Sequence, residues 1–339
     1  LDPEHELIDL CSHLGGCFID LMSGQYRINP LEPKVWDVGG EGEPEPDTPL
    51  AFRQKTRLSQ HISFLKDFFR SYKSFTDRQI DVIEIMVGRL YERWRISDST
   101  DFSRLTPEDY PILSDLYALI EQEYRNFDEG KYQLYTAAIL QEILLGLHSM
   151  CKGAESKFFN GHTNVTSSRF VVFGVKGLLQ ASKNVRSAML FNVLSYLSDK
   201  LLTEGNTVAA LDELYIWLSD NVAVGTTIIE YIRNCLKRVR KKESAMLLAS
   251  QNLEDFNQEG IRELTKPLFA IPPHQFLFNA GAVDKKFYME ALQLEESEYN
   301  LIRFPQRGVC LYRCGNERYL LEVHAPAYKE ALFGKAGGR

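Results

Sequence analysis

The segments TVAALDE (207–213) and SAMLLASQ (244–251) are short apolar runs that each end abruptly in polar residues. That pattern predicts buried parallel strands whose C-terminal tips open into a site. One tip carries adjacent carboxylates, Asp212 and Glu213, and the other an amide, Gln251, followed by Asn252. Such a set suits the hydrolysis of a nucleoside triphosphate. Asp212 would hold a magnesium ion, Glu213 would orient or deprotonate the attacking water, and Gln251 would sense the γ-phosphate. Each feature has a plainer reading: an Asp-Glu pair also starts helices, and a polar residue after a strand also caps the next turn.

A phosphate-binding loop of the form G-x-x-x-x-G-K-[ST] is not in this sequence: Gly130-Lys131 is followed by Tyr132 and Gly334-Lys335 by Ala336. The chain opens without methionine on Leu1-Asp2-Pro3-Glu4, which reads as the tip of a strand, as though the sequence starts just downstream of such a loop. Asp2 is then a candidate nucleotide contact. Glu4, at the strand edge where sheets of this kind take ligands, is a candidate for positioning water or magnesium. A first-turn acid facing a helix dipole is the competing reading for Glu4.

The elements that must position these groups alternate. A helix is expected over residues 4–14, ended by Gly15-Gly16, and then a strand at 17–21. Residues 37–49 form an acidic Gly/Pro stretch with nothing to bury, read as a flexible connection. From Phe52 to about Lys152 the pattern is helical: Leu58, Ile62, Leu65, Phe69 and Tyr72 recur at helical spacing, as do Ile80, Ile83, Val87, Leu90 and Trp94. Thr106-Pro107-Glu108-Asp109 is an N-cap with proline at the first helical position, and a further helix is expected near 132–147. The aromatic stripe Phe64, Phe68, Phe69 and Tyr72 is read as core or a domain contact. Strands at 169–173, 207–211, 245–249 and 275–278 then alternate with helices at 181–202, 226–239 and 259–264. A helix at 295–302 and a hairpin over 308–323 close the chain.

The expected fold is therefore α/β. A nucleotide-hydrolysing domain comprises 1–50 and 153–339, and a separable all-α subdomain, 51–152, is inserted into it.

Composition narrows the function. With 339 residues, 44% of them hydrophobic, the chain can bury a substantial core. Its net charge of −7 argues against a general nucleic-acid binder, and no apolar run is long enough to span a membrane. The six cysteines have no C-x-x-C spacing and the seven histidines no ligand spacing, so free thiols in a reducing compartment and no metal beyond a nucleotide's magnesium are expected. Lys237-Arg-Val-Arg240-Lys-Lys242 is the densest basic cluster and, at a helix end, reads first as solvated surface.

With these motifs in place, the sequence resembles the C-terminal ATPase domain of the type IV secretion and conjugation ATPases, the fourth component of the VirB set together with the TraC and TrbE types. The signposts are Asp2-Pro3-Glu4, Arg27-Ile28-Asn29-Pro30-Leu31, the helical insertion, Phe159-Asn160-Gly161, Leu211-Asp212-Glu213, Ser250-Gln251 with Asp255 following, and Glu298 before Gly308 and the closing hairpin. The chain departs from that family at Leu214-Tyr215, where a small residue and then an aromatic are common.

The resemblance implies a RecA-like, mostly parallel sheet flanked by helices, with ATP and magnesium as cofactors. It implies a homo-oligomer, commonly pictured as a hexamer, at the cytoplasmic face of the bacterial inner membrane, with other secretion components as partners. By the same resemblance Arg240, with Arg238 second, is the candidate finger inserted into a neighbouring subunit's site. A DNA-translocating ATPase of the coupling-protein type and a non-catalytic scaffold are the alternatives.

Overall fold

The computed structural model describes residues 1–35, 56–131, 134–165, 168–214, 222–251, 253, 256 and 262–333. The stretch read as a linker at 37–49, the family departure at Tyr215, and Asn252 and Asp255 lie outside them.

Seven strands and eleven longer helices are described. In chain order they are α1 (Ile8–His13), β1 (Cys17–Asp20), α2 (Arg57–Tyr72), α3 (Asp77–Arg93), α4 (Leu113–Arg125), α5 (Ala137–Cys151), β2 (Val171–Gly174), α6 (Lys183–Asp199), β3 (Val208–Leu211), α7 (Val222–Arg238), β4 (Ala245–Leu248), α8 (Arg262–Ala270), β5 (His274–Leu277), α9 (Lys285–Leu292), α10 (Glu296–Leu301), β6 (Val309–Cys314), β7 (Glu317–Glu322) and α11 (Ala327–Phe333). β1 and β2 pair in parallel, with Asp20 opposite Gly174 at the end of the ladder. β3 and β4 also pair in parallel, with Leu211 opposite Leu248. β5, β6 and β7 form an antiparallel sheet.

Leu1 and Asp2 lie between the two parallel pairs. Asp2 N donates to Phe173 O at 2.9 Å, Val175 N donates to Asp2 O at 2.9 Å, and Leu1 N donates to Ala210 O at 2.7 Å. This brings the C-terminal ends of β2 and β3 to one edge. One face of the β3–β4 pair, with Val208 72% and Leu247 57% exposed, is covered by none of the described residues.

The helical block forms for local reasons. The Thr56 side chain caps α2 by accepting from Ser59 N at 3.1 Å. Thr76 and Gln79 form a reciprocal capping box on α3. The expected helix at Thr106 is only a 3₁₀ turn, Pro107–Asp109. Tyr110 precedes Pro111 and is therefore extended (ψ 146°), so α4 starts afresh at Leu113, with Asp115 accepting from Ile112 N. Likewise the helix expected from Glu4 starts only at Ile8, because residues 3–7 form a turn held by Asp2.

The block is not independent of the α/β part. Phe64, Phe68, Phe69 and Tyr72 are buried in one core with Phe159 and with Phe191 of α6, the Phe64 and Phe191 rings stacking at 5.9 Å. Tyr231 of α7 donates to Asp67 of α2 at 3.2 Å. The apolar face of α2 points at α6, so side chains of the two parts share one buried cluster. Phe64→Ala should therefore lower the stability of the whole protein by about 3–5 kcal/mol, read as one cooperative shift in urea unfolding. Two separate transitions, with only the first shifted, would restore the picture of an independent block.

The signpost at residues 27–31 is the fastener between these parts. Asn29 Nδ2 donates to Pro111 O at 2.9 Å while its Oδ1 accepts from Leu31 N at 3.0 Å, Tyr91 OH donates to Leu31 O at 2.8 Å, and Asn192 of α6 donates to Ile28 O at 2.6 Å. Lys34, buried beside it, donates to Asn29 O at 2.8 Å, and burial lowers its pKa despite Glu32 at 3.8 Å. The second signpost works in the same way. Asn160 accepts from Ser114 N, and Gly161 at φ 149° leaves room for Arg27, whose Cδ would lie 2.8 Å from any Cβ there.

Candidate functional site

The parallel register of β3 and β4 continues past their last residues. Ala249 N donates to Leu211 O at 2.9 Å, and Leu214 N donates to Ala249 O at 2.8 Å. The chain thus carries Asp212-Glu213 and Ser250-Gln251 off neighbouring strand ends side by side. Gln251 Nε2 donates to Glu213 Oε1, so the amide and the second carboxylate meet as their spacing from two strand tips suggested. Glu213 reaches this position through a left-handed backbone, φ 48°, a conformation uncommon for a residue with a side chain. Such strain concentrates at working sites, where the surrounding structure imposes it.

Asp212 is exposed, and its Oδ1 accepts from Glu213 N at 2.9 Å. A solvent-facing carboxylate beside a second one is a donor set for a hard cation. Among the described residues no three acidic, His or Cys side chains cluster as a closed metal cage. The arrangement suits magnesium, which keeps several waters and takes phosphate oxygens, better than a cation needing an all-protein shell.

Asp2 and Glu4 lie at the same edge. Asp2 is 3% exposed, and its two carboxylate oxygens accept from Glu6 N at 3.1 Å and Leu7 N at 2.9 Å, so the side chain braces the turn that presents Glu4. Glu4 is exposed and pairs with Lys176 at 3.5 Å, just after β2. Arg240 lies elsewhere. It is exposed on the 3₁₀ turn Val239–Lys242, which leads into the start of β4, the opposite end of that strand from Gln251. The chain itself does not bring Arg240 to Glu213.

A second feature escaped the sequence reading. A cavity of about 890 Å³ lies among α7, α8, α9 and the β5–β6 strands, with Arg233, Lys237, Arg262, Lys266 and Arg313 in its lining. The signal was present as two cation pairs at i, i+4, but a single acidic net charge hides it.

No protein-family model matches the sequence, and no curated protein matches it. The solved structures do. Over nearly its whole length the chain has the fold of a VirB4-type ATPase domain, so the resemblance carried by the motifs holds. One similar structure is that of VirB4 of Thermoanaerobacter pseudethanolicus, with a TM-score of 0.80 and 26% identity over 97% of this chain and 81% of that one. The chain is thus similar, in fold and in part of its sequence, to a VirB4-type ATPase domain.

Proposed function

We propose that this domain hydrolyses ATP to energise type IV secretion, with the reaction at the joined tips of β3 and β4 in a RecA-like core. The observation that carries this reading is the Gln251–Glu213 hydrogen bond, with Asp212 exposed beside it. Asp212 would hold magnesium through water. ATP with magnesium supplies the phosphoryl group and neutralises its charge. Glu213 accepts the proton of the attacking water, its Oε1 fixed by the amide. Gln251 has two amide hydrogens, and the one not given to Glu213 can reach a γ-phosphate oxygen. Loss of that phosphate is then felt at β4 and the chain after it. Asp2 acts through Glu4, holding the turn on which Glu4 positions water or the ion. Arg240 serves the site of a neighbouring subunit.

The assembly proposed is a homo-oligomer, with a hexamer the natural closed ring, docked with other secretion components at the inner membrane. Among the described residues no helix is long and apolar enough to cross a membrane. Residues 51–152 are proposed as the partner-facing block, fastened to the nucleotide core through α2.

Gln251→Ala in the full-length protein tests the reading. ATP turnover should fall at least tenfold with ATP affinity changed only a few-fold, since a hydrogen bond to a charged group contributes about 1.5–3 kcal/mol. Unchanged turnover would detach the β4 tip from catalysis.

A further inference from the structure

The outer edge of the C-terminal sheet is open. β7 pairs with β6 along its whole length, Glu317–Glu322, without a bulge. Val323 N donates to Gly308 O at 2.9 Å, so the odd-numbered residues of β7 exchange hydrogen bonds with β6. The even-numbered ones, Arg318, Leu320 and Glu322, turn their backbone N–H and C=O outward. Among the described residues no hydrogen bond reaches those outward groups. Leu320 is 53% and Tyr319 46% exposed. Edges are commonly blunted by proline, lysine or a bulge; β7 (ERYLLE) has none of them, and its charges are of both signs.

The order of residues along β7 complements its own reverse. Laid antiparallel against a second copy about a two-fold axis at Leu320, the strand sets Leu320 beside its twin. Tyr319 then faces Leu321 of the other copy, and Arg318 faces Glu322 of the other copy, once on each side of the axis. The parity agrees, because these Leu320 and Arg318–Glu322 pairs use the residues whose backbone groups point outward. An axis at Tyr319 would instead set Arg318 against Leu320 and Glu317 against Leu321, charge against apolar side chain. Arg318 has a donor to spare: its Nε donates to Glu298 at 2.9 Å and its Nη1 to Gly315 O and Glu317 O, while no described residue takes its Nη2. Glu322 is exposed, with His324 at 3.1 Å. On the opposite face the rings of Phe276, Tyr312 and Tyr319 stack across three strands at 4.8 and 6.2 Å, and the column ends at half-exposed Tyr319. Leu321 of a second copy would continue it.

We infer that β7 is the edge by which two copies of this chain join, antiparallel about a two-fold axis at Leu320, making one continuous sheet from two three-stranded ones. The two-fold closes the contact at a pair, so it cannot by itself build a ring or a filament. A single pair of strands is a small interface of the transient kind. The inference does not depend on the reaction at the β3–β4 tips.

The test is analytical ultracentrifugation of the full-length protein without nucleotide, at about 0.1 mM because small interfaces associate weakly. The wild type should reach at least twice the mass of Glu322→Arg and of Arg318→Glu, each of which sets like charges against each other on both sides of the axis. The ratio holds whether the unit that pairs is one chain or a ring. Mixed in equal amounts, the two variants should recover the wild-type mass, since every unlike pair again sets Arg opposite Glu. Leu320→Pro separates backbone pairing from simple charge attraction. An edge position whose N–H faces solvent tolerates proline, so this variant should melt within a few degrees of the wild type yet stay at the lower mass. A wild type no heavier than its variants would overturn the inference, as would association retained by Leu320→Pro. A mixture that fails to recover, from variants that each melt as the wild type does, would overturn it too. Should Arg318→Glu melt lower, Glu298 having lost its partner, Leu320→Pro decides alone.

Discussion

Glu213→Gln in the full-length protein is expected to bind ATP as the wild type does and to hydrolyse it about 10²–10⁴-fold more slowly, the range a general base contributes. The substitution is well matched to its purpose. Gln has the shape of Glu and meets the same backbone constraint at φ 48°. Its carbonyl oxygen can still accept from Gln251 Nε2, so the two strand tips stay joined. What disappears is basicity. Binding is read by equilibrium titration and turnover by steady-state phosphate release. Turnover within twofold of wild type would remove Glu213 from the role of base, and loss of binding together with turnover would make it a structural strut between β3 and β4.

The parts of this site that were legible in the sequence are those set by local pattern. An apolar run that stops at Asp212-Glu213 and another that stops near Gln251 can only bring their tips together if the strands are parallel neighbours in register, and they are. The fold class was legible for the same reason, since helix and strand periods alternate along the chain. Element starts were less so. Asp2 turned from a strand-tip acid into a brace because its carboxylate found two backbone donors close in sequence, which delayed α1 to Ile8. Tyr110-Pro111 cut the expected helix to one 3₁₀ turn, in which Asp109 accepts from the backbone N and the hydroxyl of Thr106. The tie between the helical block and the α/β part was invisible, because no periodicity tells whether Phe64 faces a sister helix or Phe191, residues far apart in the chain. Asn29 was noticed as part of a motif, yet its work, spanning Pro111 and Leu31, belongs to three-dimensional packing.

The distance between Arg240 and Gln251 along β4 gives the second large prediction its form. Arg240 precedes Ala245, where β4 begins, and Gln251 follows Leu248, where it ends. A strand of this kind advances about 3.3 Å per residue, so the two side chains leave opposite ends of the sheet and cannot share a phosphate within one subunit. Arg240 therefore acts on a neighbour's nucleotide or has no part in hydrolysis. If it acts in trans, Arg240→Ala should cost about 10³–10⁵-fold in turnover while sparing ATP binding to an isolated subunit, the range for arginine fingers. The planar guanidinium matters here, so Arg240→Lys should restore little. Mixing separates the two cases. Subunits carrying Arg240→Ala and subunits carrying Glu213→Gln are each inactive alone, but mixed oligomers contain some interfaces with an intact base on one side and an intact finger on the other. Partial recovery of turnover on mixing requires Glu213 and Arg240 to meet across a subunit boundary. No recovery in oligomers shown to be mixed, or full activity in a monomer, would leave Arg240 as an exposed cation just past the end of α7, where the helix dipole favours positive charge.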